Sequence, residues 1–109
     1  MRYVVLVAMC LSWNSAHAFD WQTEQKAVGG VIAFFNCKDE LDDYHPEKVE
    51  KFLPVANEYL IYVRDAMSSS PDIEKKVTGA AQDLEDGGRN LMCLIAQVFM
   101  EGYLLNEFE

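Results

Sequence analysis

The chain has 109 residues, half of them apolar, with three cysteines and a formal net charge of −9. That length holds one domain. The excess of acid excludes nucleic acid and anionic membrane as natural partners and favours basic proteins, although the same charge also serves solubility alone.

The first eighteen residues read as a leader, not as part of the fold. Arg2 supplies a minimal basic start, Tyr3 to Leu11 form an apolar run, and Ala16-His17-Ala18 is an A-x-A cleavage site. Cleavage after Ala18 starts the exported chain at Phe19, giving a leader over 1–18 and one helical domain over 19–109. All 18 acids lie beyond the leader while Arg2 lies within it, so cleavage takes the charge from −9 to −10. Two cysteines then remain, Cys37 and Cys93. In an oxidising compartment such a pair forms one disulfide. By chain-entropy arithmetic a bond closing so long a loop contributes roughly 4 kcal/mol.

From Trp21 to about Leu41, Val28, Val31, Ile32 and Phe35 recur at helical spacing, with Ala27, Phe34 and Leu41 widening the stripe. Asp20 is placed to cap this first helix. Gly29-Gly30 weakens it by about 1 kcal/mol per glycine, which close approach of a neighbouring helix would offset. Asp42 to Pro46 reads as a turn. A second helix runs from Pro46 towards Met67 on Val49, Phe52, Leu53, Ala56, Leu60, Val63 and Met67, and its register carries through Pro54. Ser70 caps a third helix that starts at Pro71 and ends near Glu85, with Ile73, Val77, Ala80, Ala81 and Leu84 inward. Its stripe is thin and rich in alanine, so it is the helix expected to be held least firmly. Asp86-Gly87-Gly88 ends it, and Asn90 can cap a fourth.

That fourth helix, Leu91 to Leu105, is the densest apolar stretch; only Gln97, Glu101 and Gly102 interrupt it. It is too short to span a membrane, which takes about 20 apolar residues. Leu91, Leu94, Ile95, Val98 and Leu105 share one face, and Met92, Phe99 and Tyr103 cover others. The natural reading is a helix with the other three packed around it. Four helices with short connections predict an all-α up-down-up-down four-helix bundle closed by one disulfide. In that topology the end of helix 1 and the start of helix 4 share a pole, within reach of a Cys37–Cys93 bond. Apolar surface left over at Phe99, Met100, Tyr103 and Phe108 is the expected site of self-association as a homodimer.

The densest polar group is Asp39, Glu40, Asp42, Asp43, Tyr44 and His45. A calcium loop needs acids at alternating positions and a glycine at the sixth, and Leu41 and Tyr44 occupy the wrong places. No metal and no cofactor are expected. His45 is the one histidine beyond the leader, and no serine or cysteine nucleophile stands beside it in sequence, so no enzyme is expected either. A solvated acidic turn is one reading of the group. The sharper one is an anionic knob, with Tyr44 as aromatic anchor, that docks into a basic cleft. Asp83, Glu85 and Asp86 form a second acidic group at a helix end, where negative charge opposes the helix dipole.

The leader, the acidic helical domain and the Cys37–Cys93 pair together resemble the plan of small periplasmic immunity proteins. Those proteins protect a bacterium from cell-wall-degrading effectors, such as those of type VI secretion, by plugging the catalytic cleft. The resemblance implies a basic peptidoglycan hydrolase as partner and Asp39, Glu40, Asp42, Asp43, Tyr44 and His45 as the plug. Cys37-Lys38-Asp39-Glu40-Leu41, followed by Pro46 and Val49, also resembles the first cysteine region of acid-activated periplasmic chaperones of the HdeA type. That resemblance implies a protein idle at neutral pH. Protonation of every carboxylate would swing its side-chain charge to about +9 and open the fold.

Overall fold

A computed structural model describes residues 19–107. The expected leader and Phe108 lie outside the described residues. Five helices follow in order: α1 Trp21–Asn36, α2 Lys38–Tyr44, α3 Pro46–Ser69, α4 Pro71–Asp86 and α5 Arg89–Glu107. No strand occurs among the described residues, and none of their helices is long and apolar enough to cross a membrane.

Among the described residues the all-α expectation holds, but the helix count is five and not four. Helix 1 does not run on to Leu41. It breaks at Cys37, whose backbone leaves helical geometry at φ −110°, ψ 13° while its N–H still donates to Ala33 and Phe34 carbonyls. Two effects favour the break. The Asn36 side chain donates to the Ile32 carbonyl at 2.9 Å, the local bonding by which Asn competes with helix continuation. A new helix also puts Asp39 and Glu40 in its first turn, where the macrodipole favours acids; a continuous helix would set them against its negative end. The expected turn from Asp42 to Pro46 shrinks accordingly. Asp42, Asp43 and Tyr44 are helical, and only His45, restricted by the following proline, is not.

The other boundaries follow local chemistry. Asp20 caps α1 by accepting from the Gln22 N–H at 3.2 Å and the Thr23 hydroxyl at 2.8 Å. Pro46 opens α3, and Pro54 lies inside that single helix as its register requires. Ser70 caps α4 through the Ile73 N–H at 3.2 Å. Gly88, at φ +94°, is the only positive-φ residue among those described, a conformation glycine adopts without strain. Its carbonyl accepts the Met92 N–H, so α5 starts from Gly88 and the expected cap, Asn90, sits inside the first turn.

Side-chain pairings fix the directions. α1 and α5 run antiparallel, since Cys37 meets Cys93 near one end while Gly30 faces Phe99 further along. α1 and α3 are also antiparallel, through Phe34–Phe52 and Glu24–Tyr59. α3 and α5 run the same way, through Lys48–Glu101 and Phe52–Tyr103. α4 runs with α1, from Ile73 beside Val28 and Val63 to Leu84 against the larger buried cluster. The four long helices thus alternate in direction, and α2 carries the chain across the disulfide pole. The Cys37–Cys93 bond is formed, with Cα atoms 5.4 Å apart.

The core has two parts. Phe34, Phe52, Met100, Leu41, Val49 and Ala96 belong to the larger one, where Phe34 and Phe52 meet edge to face at 4.9 Å. Val28, Val63 and Val77 form the smaller one. Val77 is the only fully buried side chain of α4, in line with its thin stripe. Gly30 is explained by close approach, because a Cβ there would overlap the Phe99 ring; Gly29 has nothing within 4 Å and is not.

Candidate binding surface

α2 places five of the six anticipated plug residues on one short helix, with His45 just beyond its end. Asp39, Glu40, Asp42, Asp43 and Tyr44 are all exposed, Tyr44 to 78%, while Leu41 alone faces the core. The helix is pinned at both ends. Cys37 ties its start to α5. Arg89, at the start of α5, donates from Nε to Glu40 at 2.6 Å and from a terminal nitrogen to the Asn36 carbonyl at 3.3 Å. At the far end His45 is half-buried, and Gln97 Nε2 lies 3.4 Å from its Nε2, placed to donate when that ring nitrogen is unprotonated.

The plug therefore divides. Glu40 and His45 are engaged within the fold, whereas no hydrogen bond or ion pair to Asp39, Asp42 or Asp43 occurs among the described residues. From Gln97 the polar chain continues: its amide also donates to Glu101 at 3.4 Å, and Lys48 donates to Glu101 at 2.9 Å. The Lys48 ammonium, with help from Gln97, holds the Glu101 carboxyl below the usual carboxylate range. No group of three or more His, Cys, Asp or Glu converges as metal ligands among the described residues.

α5 corrects a second expectation. The other helices do not surround it. Met92, Ala96, Met100 and Leu104 face inward, whereas Leu91, Leu94, Val98 and Leu105 point outward at 49%, 57%, 62% and 65% exposure. Two members of the anticipated self-association set are turned away from the surface, while Tyr103 is 37% exposed and Phe108 lies outside the described residues. Met100 is 0% exposed, and Phe99 is packed between Gly30 and Phe52; both belong to the core, and Tyr103 rests against Phe52. Three- and seven-residue steps from Leu91 reach Leu94, Val98 and Leu105. Their phase was visible in the sequence, but the larger aromatics of the opposite face obscured it.

A shallow groove of about 270 Å³ joins the two regions, with Glu40, Tyr44 and His45 on one wall and Leu94 and Gln97 on the other. The acidic helix and the apolar stripe are thus neighbours. Sequence reasoning missed Arg89, Gln97 and Glu101 as the residues that hold this surface in place.

A separate polar contact lies at the opposite pole. Glu24 accepts from the Tyr59 hydroxyl at 2.7 Å and the Tyr62 hydroxyl at 2.6 Å. Burial, reinforced by the Glu24 carboxylate, pushes both phenols above their ordinary range. Comparison of the chain with protein families, with characterised proteins and with solved structures gave no significant match.

Proposed function

We propose that this chain is an exported, periplasmic inhibitor of the immunity type. It binds a basic peptidoglycan-degrading effector by lodging α2 in the catalytic cleft and carries out no chemistry of its own. The observation that supports this reading most is the state of α2. Asp39, Asp42, Asp43 and Tyr44 project from a helix pinned by a disulfide and an Arg89–Glu40 pair, and three of its carboxylates are uncommitted within the fold. A rigid anionic knob loses little freedom on docking, steers a cationic partner into contact, and offers Tyr44 as the anchor. Glu40 and His45 act in this reading as supports, and Asp39, Asp42, Asp43 and Tyr44 as the contact.

The test uses the oxidised protein and an Asp42→Lys/Asp43→Lys variant as baits on native envelope and secreted fractions. The captured protein is then assayed for lysis of cell-wall sacculi with and without the bait. One basic hydrolase, held and inhibited by the wild type at neutral pH but not by the variant, is the expected result. Equal inhibition by both baits would remove α2 from the contact.

The acid-chaperone reading draws on one feature. Lys48–Glu101 ties α3 to α5 through a carboxylate that acid must neutralise. Many unfolded clients at pH ~2.5, with no partner at neutral pH, would favour that reading over the inhibitor.

A further inference from the structure

We propose that the outer stripe of α5 is a two-fold interface, on which α5 of a second copy packs antiparallel about Val98. The stripe is self-complementary. An antiparallel partner centred on Val98 sets Val98 on its own copy, Leu91 against Leu105 and Leu94 against Gly102, so the same patch serves both copies, as a two-fold contact requires. Other registers are worse. Sliding four residues one way puts the exposed Leu91 on Glu101, and three residues the other way puts the exposed Val98 on it, whereas the centred register sets Glu101 against the half-buried Ile95.

Gly102 supplies an independent reason. A glycine inside a helix costs about 1 kcal/mol against alanine, and nothing within one copy lies within 4 Å of where its Cβ would be. Close approach of a second backbone, with Leu94 filling the space, is what a glycine there allows. The helix ends are also complementary. The last turn of α5 carries no basic residue, so its carbonyl end keeps its partial negative charge. In the antiparallel pair the positive N-terminal end of each α5, at Arg89, comes to the carbonyl end of the other, while the Arg89 side chain keeps its contact with Glu40.

The size fits a reversible dimer. Covering Leu91, Leu94, Val98 and Leu105 in both copies, with the rim around them, removes on the order of 1,000 Å² from water, the lower bound for a specific interface. The acid excess of each copy opposes the pairing, so the dimer tightens as salt rises.

The inference uses residues other than the α2 carboxylates and stands or falls separately from the inhibitor reading. Sedimentation equilibrium of the oxidised protein between about 1 and 100 μM, where an interface of this size associates, should give twice the chain mass at the upper end. Val98→Lys sets two charges face to face and should weaken the dimer at least about 100-fold. Far-UV circular dichroism should stay unchanged, because Val98 is on the surface. Gly102→Ala should raise the melting temperature of the single copy while weakening the dimer. With a short thiol cross-linker and the native disulfide intact, Val98→Cys should link to itself. Leu94→Cys should link to Gly102→Cys faster than to its own kind. A single-chain mass at every concentration, a Val98→Lys protein as dimeric as wild type, or preferential Leu94→Cys self-linking would each overturn the proposal.

Discussion

The two ends of this bundle are held by different means. At the disulfide pole, aromatic rings from three helices interlock around Phe52, and a covalent bond joins α1 to α5. At the other pole three valines meet, one of them the only buried side chain of α4, beneath rings in which Tyr62 meets Phe19 at 5.4 Å and Tyr59 at 5.7 Å, and Glu24 accepts from both tyrosine hydroxyls. The contrast shows where a small helical domain concentrates its order. The pole that carries the exposed acidic helix has the larger buried cluster and the covalent tie, so the pole away from it is the one expected to open first.

The sharpest way to break the contrast is to remove an anchor of the strong pole. Phe52→Ala should cost about 4 kcal/mol, and Cys37→Ser/Cys93→Ser a similar amount, on the order of 4 kcal/mol; urea midpoints would measure both. Val63→Ala, at the weak pole, should cost only about 2 kcal/mol. Hydrogen exchange should show α4 amides opening before those of α1 and α5. If Val63→Ala proves as damaging as Phe52→Ala, the two poles are one cooperative unit.

The adjacent glycines give a finer test. Gly30→Ala drives a methyl group into the Phe99 ring and should destabilise by roughly 1–3 kcal/mol. Gly29→Ala meets nothing and should stabilise by up to about 1 kcal/mol. Thermal melts of the two variants should therefore move in opposite directions.

The poles should also differ in their response to pH. Tyr59 and Tyr62 have raised phenol pKa values in the folded state, so their contribution is complete below the ordinary tyrosine value of about 10 and is lost as pH rises beyond it. Absorbance at the phenolate band should show these two ionising late and together with unfolding of the weak pole. Glu101 has the opposite sign. Its lowered value gives stability that is present above the ordinary carboxylate range and lost as pH falls through it. The pair is largely exposed, so Lys48→Met should cost below about 1 kcal/mol at neutral pH, and the difference from wild type should vanish in acid.

Much of this arrangement was legible in the sequence because it rests on local chemistry. Asp20, Ser70, Pro46 and Pro71 mark helix starts by hydrogen-bonding and steric rules that act within four residues, and the structure keeps all four. The cysteine pairing followed from there being two cysteines beyond the expected leader, and the bundle topology agreed with it. The break at Cys37 was not legible, because the apolar spacing continues smoothly through it to Leu41 and only the placement of acids against a dipole argues for an interruption. The orientation of α5 was also hidden. The phase of Leu91, Leu94, Val98 and Leu105 was present, but Met92, Phe99 and Tyr103 spread apolar residues over the other faces, so it did not reveal which face turns inward. Partners far away in sequence, Gly30 and Phe52 against Phe99, settled which side turned inward. The division of the acidic group depended on Arg89 and Gln97, and no spacing rule joins either to residues some fifty positions earlier.

Asp39, Asp42 and Asp43 have a consequence for how this protein can change over time. Because none of the three makes a hydrogen bond or ion pair among the described residues, substitutions there should leave stability nearly untouched, within about 0.5 kcal/mol, apart from the favourable charge that Asp39 places in the first turn of α2. Their letters are free to drift or to be selected while Leu41, Cys37 and Arg89 keep the helix in place. If these residues are the contact with an effector, as proposed, a lineage facing a changing adversary could rewrite recognition at these three positions without relearning how to fold. A designer could use the same seven-residue helix as a cassette.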